Sequence, residues 1–430
     1  MNPTSQNVFK FLSYYFDHAS RTATFIYQGV NNRFFAEKIV FAAPSEAPNS
    51  TLPINHAALD RALQLAFILI GTSYFKTQPT PFVQVDFPLD QFQANFFNQV
   101  FQEGLSQFAF ENQLTRDQLA HFLPTPNYTA PAAVEYQGSG ILSLQSGGKD
   151  SLLTATLLAE KNLPFTPWYL SSSNYYPRVI DHLIPNTSAS VATRNLDLEQ
   201  LKQSKGLNGH VPITYIVQSL ALIQAILFNQ DTILTSIGQE GNEPHAMIGD
   251  LPVNHQWSKT WPAELYFSEY VRRYISPNLK IGSPLRGFSE LYIAELFAQK
   301  CWSKFSLSFS SCNAANYQQK TDNSKLSWCG HCPKCVNSFL LFAPFVPLTE
   351  LTKLFNRDLF LERKLHRTFK GLLGIDGEMK PFECIGSIEE LRTAYHLRQP
   401  GFGELPFVVP LSNFDYRTTY SVQDFVLQYL

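Results

Sequence analysis

Several things this sequence has little of are informative before anything it contains. Six cysteines in 430 residues, three of them in one tight cluster, do not make a secreted disulfide framework. A reducing cytoplasm is the expected compartment. Met1 to Phe16 shows no basic start followed by a clean apolar stretch, so no signal peptide is read there. Nowhere do the ~18 successive apolar residues of a membrane span occur. The apolar run Phe339 to Leu348 is short and broken by Pro344 and Pro347, which reads as core. Charge of one sign is missing too: 33 basic residues face 35 acidic ones with no basic run, which argues against a nucleic-acid partner. Internal repeats and low-complexity segments are absent.

What is present is apolar surface. The chain is 44% hydrophobic and 14% aromatic with 36 phenylalanines, enough to offset chain entropy and to exclude large disordered regions. Its length suggests two or three packed units. Residues 1–135 read as an N-terminal α+β domain. Phe9 to Tyr15, Thr22 to Gln28 and Phe34 to Phe41 form an aromatic, β-branched meander. A helical pattern over His56 to Tyr74 and an apolar-periodic stretch over Leu89 to Phe110 follow, and the proline-rich Leu123 to Ala133 reads as a linker. Residues 136–305 change to alternating strand and helix: Ile141 to Leu144, Ser151 to Leu163, Phe165 to Leu170, Pro212 to Phe228, Asp231 to Thr235. That alternation implies an α/β domain with a doubly wound parallel sheet, whose ligands bind beyond the carboxyl ends of the strands.

Ser146-Gly147-Gly148-Lys149-Asp150-Ser151 falls between the first of these strands and its helix. Two glycines let the backbone approach an anion closely, and the helix N-terminus offers free N–H groups and a positive dipole end. Ser146 and Ser151 add hydroxyls and Lys149 a charge. Asp150 would repel bare phosphate, so it reads as a helix cap or as part of a magnesium shell. The segment is not a Walker A loop, because Ser143 stands where that loop has glycine and Asp150 where it has Ser or Thr. It resembles the SGGxDS signature of the PP-loop ATP-pyrophosphatases, which cleave ATP to AMP and pyrophosphate while adenylating a substrate. A plain Gly-Gly turn that binds nothing is the competing reading.

Cys329-x-x-Cys332-x-x-Cys335, with Cys312 upstream, supplies four thiols for one tetrahedral zinc. Four thiolates close the coordination sphere, so the metal is expected to be structural. His331 is the alternative ligand. Residues 306–430 thus read as a zinc-knuckle and helical C-terminal region. A similar cluster follows the PP-loop domain of 7-cyano-7-deazaguanine synthases. Of the remaining thiols, Cys301 lies on an apolar helix and reads as core. Cys384, in a polar turn after Glu383, reads as structural, with proton transfer as the alternative.

Several segments together resemble the MurL-type UDP-N-acetylmuramoyl-L-alanyl-L-glutamate epimerases. They are Gly71 to Lys76, the Ser146 to Ser151 loop, Asn208 to Pro212, Val253 to Lys259, Ser310 to Asn313, Trp328 to Cys335 and Lys380 to Cys384. Gln239-Glu240-Gly241-Asn242 departs from the more serine-rich version expected there. The resemblance implies ATP- and magnesium-dependent inversion of the terminal L-Glu of UDP-MurNAc-L-Ala-L-Glu, a small-molecule substrate. His255 and Lys259 are the first candidates for acid and base, with Asp150 at the loop. Bland roles compete: phosphate or UDP binding for Lys259, and holding Trp257 or a carbonyl for His255. Asn254, Arg178 and Arg286 are candidate substrate ligands, as is Arg194, with surface or structural ion pairs as the alternative. Rival functions are another PP-loop adenylating enzyme (a nitrile synthase or a tRNA-thiolating enzyme) and a non-catalytic zinc-stabilised nucleotide-binding module. The sequence leaves the oligomeric state open.

Overall fold

The computed structural model describes residues 7–43, 53–172, 176–183, 189–316 and 325–430, so the first six residues of Met1 to Phe16 lie outside it. β1 (Phe9–Asp17), β2 (Thr22–Gln28) and β3 (Phe34–Phe41) form the expected antiparallel meander. β4 (Val83–Val85) joins its outer edge in parallel. β5 (Ile141–Leu144), β6 (Phe165–Ser171), β7 (Ser190–Asn195), β8 (Thr232–Leu234) and β11 (Lys280–Gly282) run parallel to one another. β9 (Ala246–Ile248) and β10 (Leu251–Val253) make a separate hairpin.

All but that hairpin belong to one nine-stranded, mostly parallel sheet in the order β11-β8-β5-β6-β7-β3-β2-β1-β4. The change of strand pattern near residue 135 therefore coincides with no break in the sheet, because β3 pairs antiparallel with β7. Alternating strand residues face opposite sides. Leu142, Trp168 and Ile233 enter one core, while Ile141, Tyr169 and Leu234 enter the other. The first core is roofed by helices His56–Phe75 and Ile213–Leu227, the second by Lys149–Glu160, Glu290–Lys300 and Pro333–Phe342. Phe339 to Phe342 is buried in the second core, and no helix among the described residues is long and apolar enough to cross a membrane.

The junction of meander and parallel sheet is fixed by a buried ion pair. Arg194 on β7 donates to both carboxylate oxygens of Glu37 on β3 (2.6 and 3.3 Å) and to Ser73 Oγ (2.8 Å). The Tyr74 hydroxyl donates to the same carboxylate at 2.7 Å. Arg194 is therefore committed to the fold, which explains part of the Gly71 to Lys76 segment. Gly71 explains more: an added Cβ would stand 2.5 Å from the Phe11 ring. Glu37 is fully buried, so removing its partner would strand a charge in the core. Arg194→Met is expected to destabilise the chain by about 3–5 kcal/mol. Urea unfolding checks this, and a loss below about 1 kcal/mol would show that the pair is dispensable.

Candidate functional site

In the parallel sheet the strand order reverses between β5 and β8, which opens a crevice at their carboxyl ends. A cavity of about 280 Å³ occupies this place. Its floor is the Ser146 to Ser151 loop. Gly147 has φ +75°, and an added Cβ would meet Leu326 Cδ1 at 2.6 Å and Val179 Cγ1 at 3.1 Å, so glycine is required twice over. The loop ties itself in place: Ser146 N donates to Ser151 Oγ (3.2 Å), Gly148 N to Ser146 Oγ (3.3 Å) and Ser151 Oγ to Gly148 O (3.2 Å). The helix begins at Lys149, so its first-turn amides lack intrahelical acceptors and face the loop. Leu144, Gln145, Thr235 and Ser236 form the strand-end wall. Gln145 Oε1 and Thr235 Oγ1 are buried and, among the described residues, have no hydrogen-bond partner. Orphaned buried polar atoms beside free amides are what a polar, phosphate-bearing ligand would satisfy.

Charge in the cavity is balanced internally. Lys149 Nζ is paired with Asp150 and with Glu290, which opens the Glu290–Lys300 helix. Burial opposes the lysine's charge, but the two carboxylates outweigh it and hold Lys149 firmly protonated. Burial pushes the Glu290 carboxyl above its ordinary range, with Asp150 and Glu240 adding to the rise and Lys149 opposing it. Lys259 also lines the cavity, 3.6 Å from Glu240 Oε1. Burial works against its charge, while Cys384, Glu240, Asp150 and Glu290 raise its pKa on balance.

The remaining wall comes from the cysteine cluster. The ligand atoms of Cys312, Cys329, Cys332 and Cys335 all lie within 4.8 Å of one another, and these four form a group able to hold a metal ion. Sulfur pairs sit 3.6 Å apart, close to the ~3.8 Å edge of a tetrahedron with ~2.3 Å metal–sulfur bonds. Backbone N–H groups of Ala315, Gly330 and Cys332 point at these sulfurs at 3.3 Å, as thiolates require. His331 is exposed, its Nδ1 2.9 Å from the Cys329 carbonyl oxygen, and it is outside the group. The cluster reaches the cavity directly: Ser311 precedes Cys312, and Lys334, Asn337 and Ser338 ride on the knuckle helix. Ser310 N donates to Gly147 O at 3.2 Å.

The other sequence candidates divide. His255 does not line the cavity. Its Nδ1 stands 2.6 Å from Gln107 Oε1, and its ring lies 4.3 Å from that of His210. Burial lowers its pKa to about 4, so the ring is neutral near pH 7. Asn254 is buried and donates to the Gly241 carbonyl (2.7 Å) while accepting from Gln256 N (2.8 Å). Arg178 is exposed and paired with Asp181 at 3.3 Å, on a segment that packs against Gly147. Arg286 requires a correction. It is fully buried, donates to Glu264 Oε2 (3.0 and 2.8 Å) and the Gly238 carbonyl, and offers no surface to a substrate. The sequence reading missed Glu290, Lys334 and Asn337 as cavity residues and treated Cys384 as structural, whereas Cys384 lines the cavity. Five quoted segments meet here, contributing the loop, Lys259, Ser311, Lys334 and Cys384, and that co-occurrence was the one available signal.

The MurL N-terminal domain family matches residues 1–283, and the MurL C-terminal domain family matches residues 308–410. A protein of Micromonospora sp. named UDP-N-acetyl-alpha-D-muramoyl-L-alanyl-L-glutamate epimerase is 31% identical over 399 residues, covering 91% of this chain and 86% of that one. Proteins of the same name from Xanthomonas oryzae pv. oryzae and Salinispora tropica are each 30% identical, covering 90% and 94% of this chain and 85% and 88% of theirs. With both family domains matched in order along the chain, this chain belongs to the MurL family.

Proposed function

We propose that this protein inverts the terminal L-Glu of UDP-MurNAc-L-Ala-L-Glu to D-Glu, consuming ATP through an acyl-adenylate and releasing AMP and pyrophosphate. The observation that carries this reading is the switch-point cavity, where the loop residues Ser146, Gly148 and Ser151 at a helix N-terminus and the unpartnered Gln145 and Thr235 side chains surround one space. Such a floor suits a nucleotide phosphate, and as a PP-loop it adenylates rather than phosphorylates. The names of the relatives supply the acceptor.

The chemistry explains why an epimerase would use ATP. A free carboxylate resists loss of its α-proton, because the resulting enolate concentrates negative charge. Adenylation removes that charge and turns the carbonyl into an electron sink. Hydrolysis after reprotonation on the opposite face makes the inversion one-way. In this reading Ser146, Gly147, Gly148 and Ser151 cradle phosphate, and Lys149 keeps Asp150 and Glu290 in register. Asp150 is the group that would hold Mg2+ there, which would supply neutralising charge to the phosphates. Lys259 stabilises developing negative charge. His255, neutral with its Nδ1 against Gln107 and outside the cavity lining, is a polar contact for a part of the substrate that extends beyond the cavity. Asn254 holds the Gly241 backbone beneath it, and Arg178 stands at the loop for an anionic part of the substrate. The four cysteines would hold a structural Zn2+ that fixes Ser311 and Lys334 against the loop. The protein would then act in the cytoplasm, where the nucleotide precursor and ATP are found.

Incubation with ATP, Mg2+ and UDP-MurNAc-L-Ala-L-Glu in deuterated water tests the whole reading. Pyrophosphate and deuterium at the glutamate Cα are expected together. Pyrophosphate with neither deuterium nor D-Glu would indicate another adenylating activity, and absence of all three would leave a binding module. Gly147→Ala should cut pyrophosphate release by more than about tenfold, since the left-handed φ alone costs about 1–2 kcal/mol. A fully active variant would remove the loop from the phosphate site. Elemental analysis should find one zinc per chain, and its removal by chelation should lower both melting temperature and ATP affinity. Chelation without change in either would assign the thiols no scaffolding role.

A further inference from the structure

The sequence read Cys384 as structural with proton transfer as the alternative, and it lies on the cavity wall with Lys259, Lys334 and Asp150. Its position is clamped from two sides by the next two residues. Gln256 Nε2 donates to the Ile385 carbonyl at 3.2 Å and, at the same distance, to the Glu240 carbonyl. Gly386 N donates to Asn337 Oδ1, itself a cavity residue, at 3.1 Å. The Val253 to Lys259 segment, the knuckle helix and the Lys380 to Cys384 turn are thereby locked around one sulfur. The other thiols are spoken for: four form the metal-type cluster, and Cys301 is buried in the core and donates to Thr156 Oγ1 at 3.3 Å.

Resting on the reading under Proposed function, we propose that Cys384 is the catalytic base that takes the α-proton of the adenylated glutamate, with Lys259 as its charge partner. Lys259 and Lys334 favour the thiolate against the burial that opposes it. The buried, unpartnered Thr235 hydroxyl in the same cavity is a second, independent sign that a ligand completes this space. In the step, Sγ forms an S–H bond to the α-hydrogen. The Cα–H electron pair moves into the Cα–C bond, and the carbonyl π pair moves onto the acyl oxygen, which becomes the enolate. A proton from solvent water then adds to Cα on the opposite face, and the carbonyl re-forms. The thiol finally loses its proton to the hydroxide this leaves, so nothing is oxidised or reduced.

Cys384→Ala and Cys384→Ser are compared with the wild-type chain in deuterated water, following pyrophosphate release and Cα deuteration separately. Both variants should lose about 100- to 10,000-fold in deuteration while still releasing pyrophosphate, since only proton transfer is removed. Serine fills nearly the same space, so a merely structural thiol would be rescued by it. Wild-type deuteration in Cys384→Ser would overturn the proposal, as would equal loss of both readouts in a folded variant with a wild-type melting temperature. An acyl thioester trapped on Cys384 would overturn it as well. A wild-type chain that releases no pyrophosphate would instead sink the adenylation reading, and this proposal with it.

Discussion

The site depends on how buried charge is balanced around one crevice. Lys149 and Lys259 both project into a small cavity, and neither could stay charged there alone. Asp150, Glu290 and Glu240 supply the opposing charge. These five groups come from the loop, the helix after it in the second core, the turn after β8 and the segment after β10. Glu290 thus ties its helix to the Ser146 to Ser151 loop and Glu240 ties the turn after β8 to Lys259, so the charge balance that keeps the lysines protonated also sets the shape of the cavity.

The sheet makes that convergence possible. Reversal of strand order between β5 and β8 leaves the strand ends open. Two cores, one on each face, hold the flanking helices at fixed height above it. The cysteine cluster closes the remaining side, and its bond from Ser310 N to Gly147 O couples knuckle to loop. A metal bound by those thiols would act on the chemistry through position alone. The meander lengthens the same sheet, and the Glu37–Arg194 pair with Ser73 and Tyr74 is its rivet. Lys76, at the end of that segment, reaches the Gly209 carbonyl at 2.9 Å and so connects the meander side to the Asn208 to Pro212 turn.

Much of this was legible in the residues because the signals were local. Period-two aromatic patterning marked β1 to β3, and β5 with its loop and helix were readable from apolar alternation around a Gly-Gly pair. The C-x-x-C-x-x-C spacing is equally local, and Cys312 joins it across a longer loop because four thiols suit one tetrahedral ion. The Leu89 to Phe110 stretch was read as one periodic segment, but it folds as two helices, Gln91–Gln102 and Ser106–Glu111, separated by a turn at Gly104. Gly104 packs against Pro212 there: an added Cβ would stand 3.1 Å from that ring. That packing partner is remote in sequence.

Sequence by itself determined the strand-loop-helix floor of the cavity, the Cys329-Cys332-Cys335 cluster and the meander, since each is set by spacing within a short stretch. Tertiary structure alone decided that the meander and the parallel strands share one sheet, because β3–β7 pairing joins residues far apart in the chain. It alone sent Arg286 and Arg194 into buried ion pairs, since an arginine's partner is never written beside it. It also turned Cys384 toward Lys259, through hydrogen bonds from Gln256 and to Asn337 that no local pattern encodes.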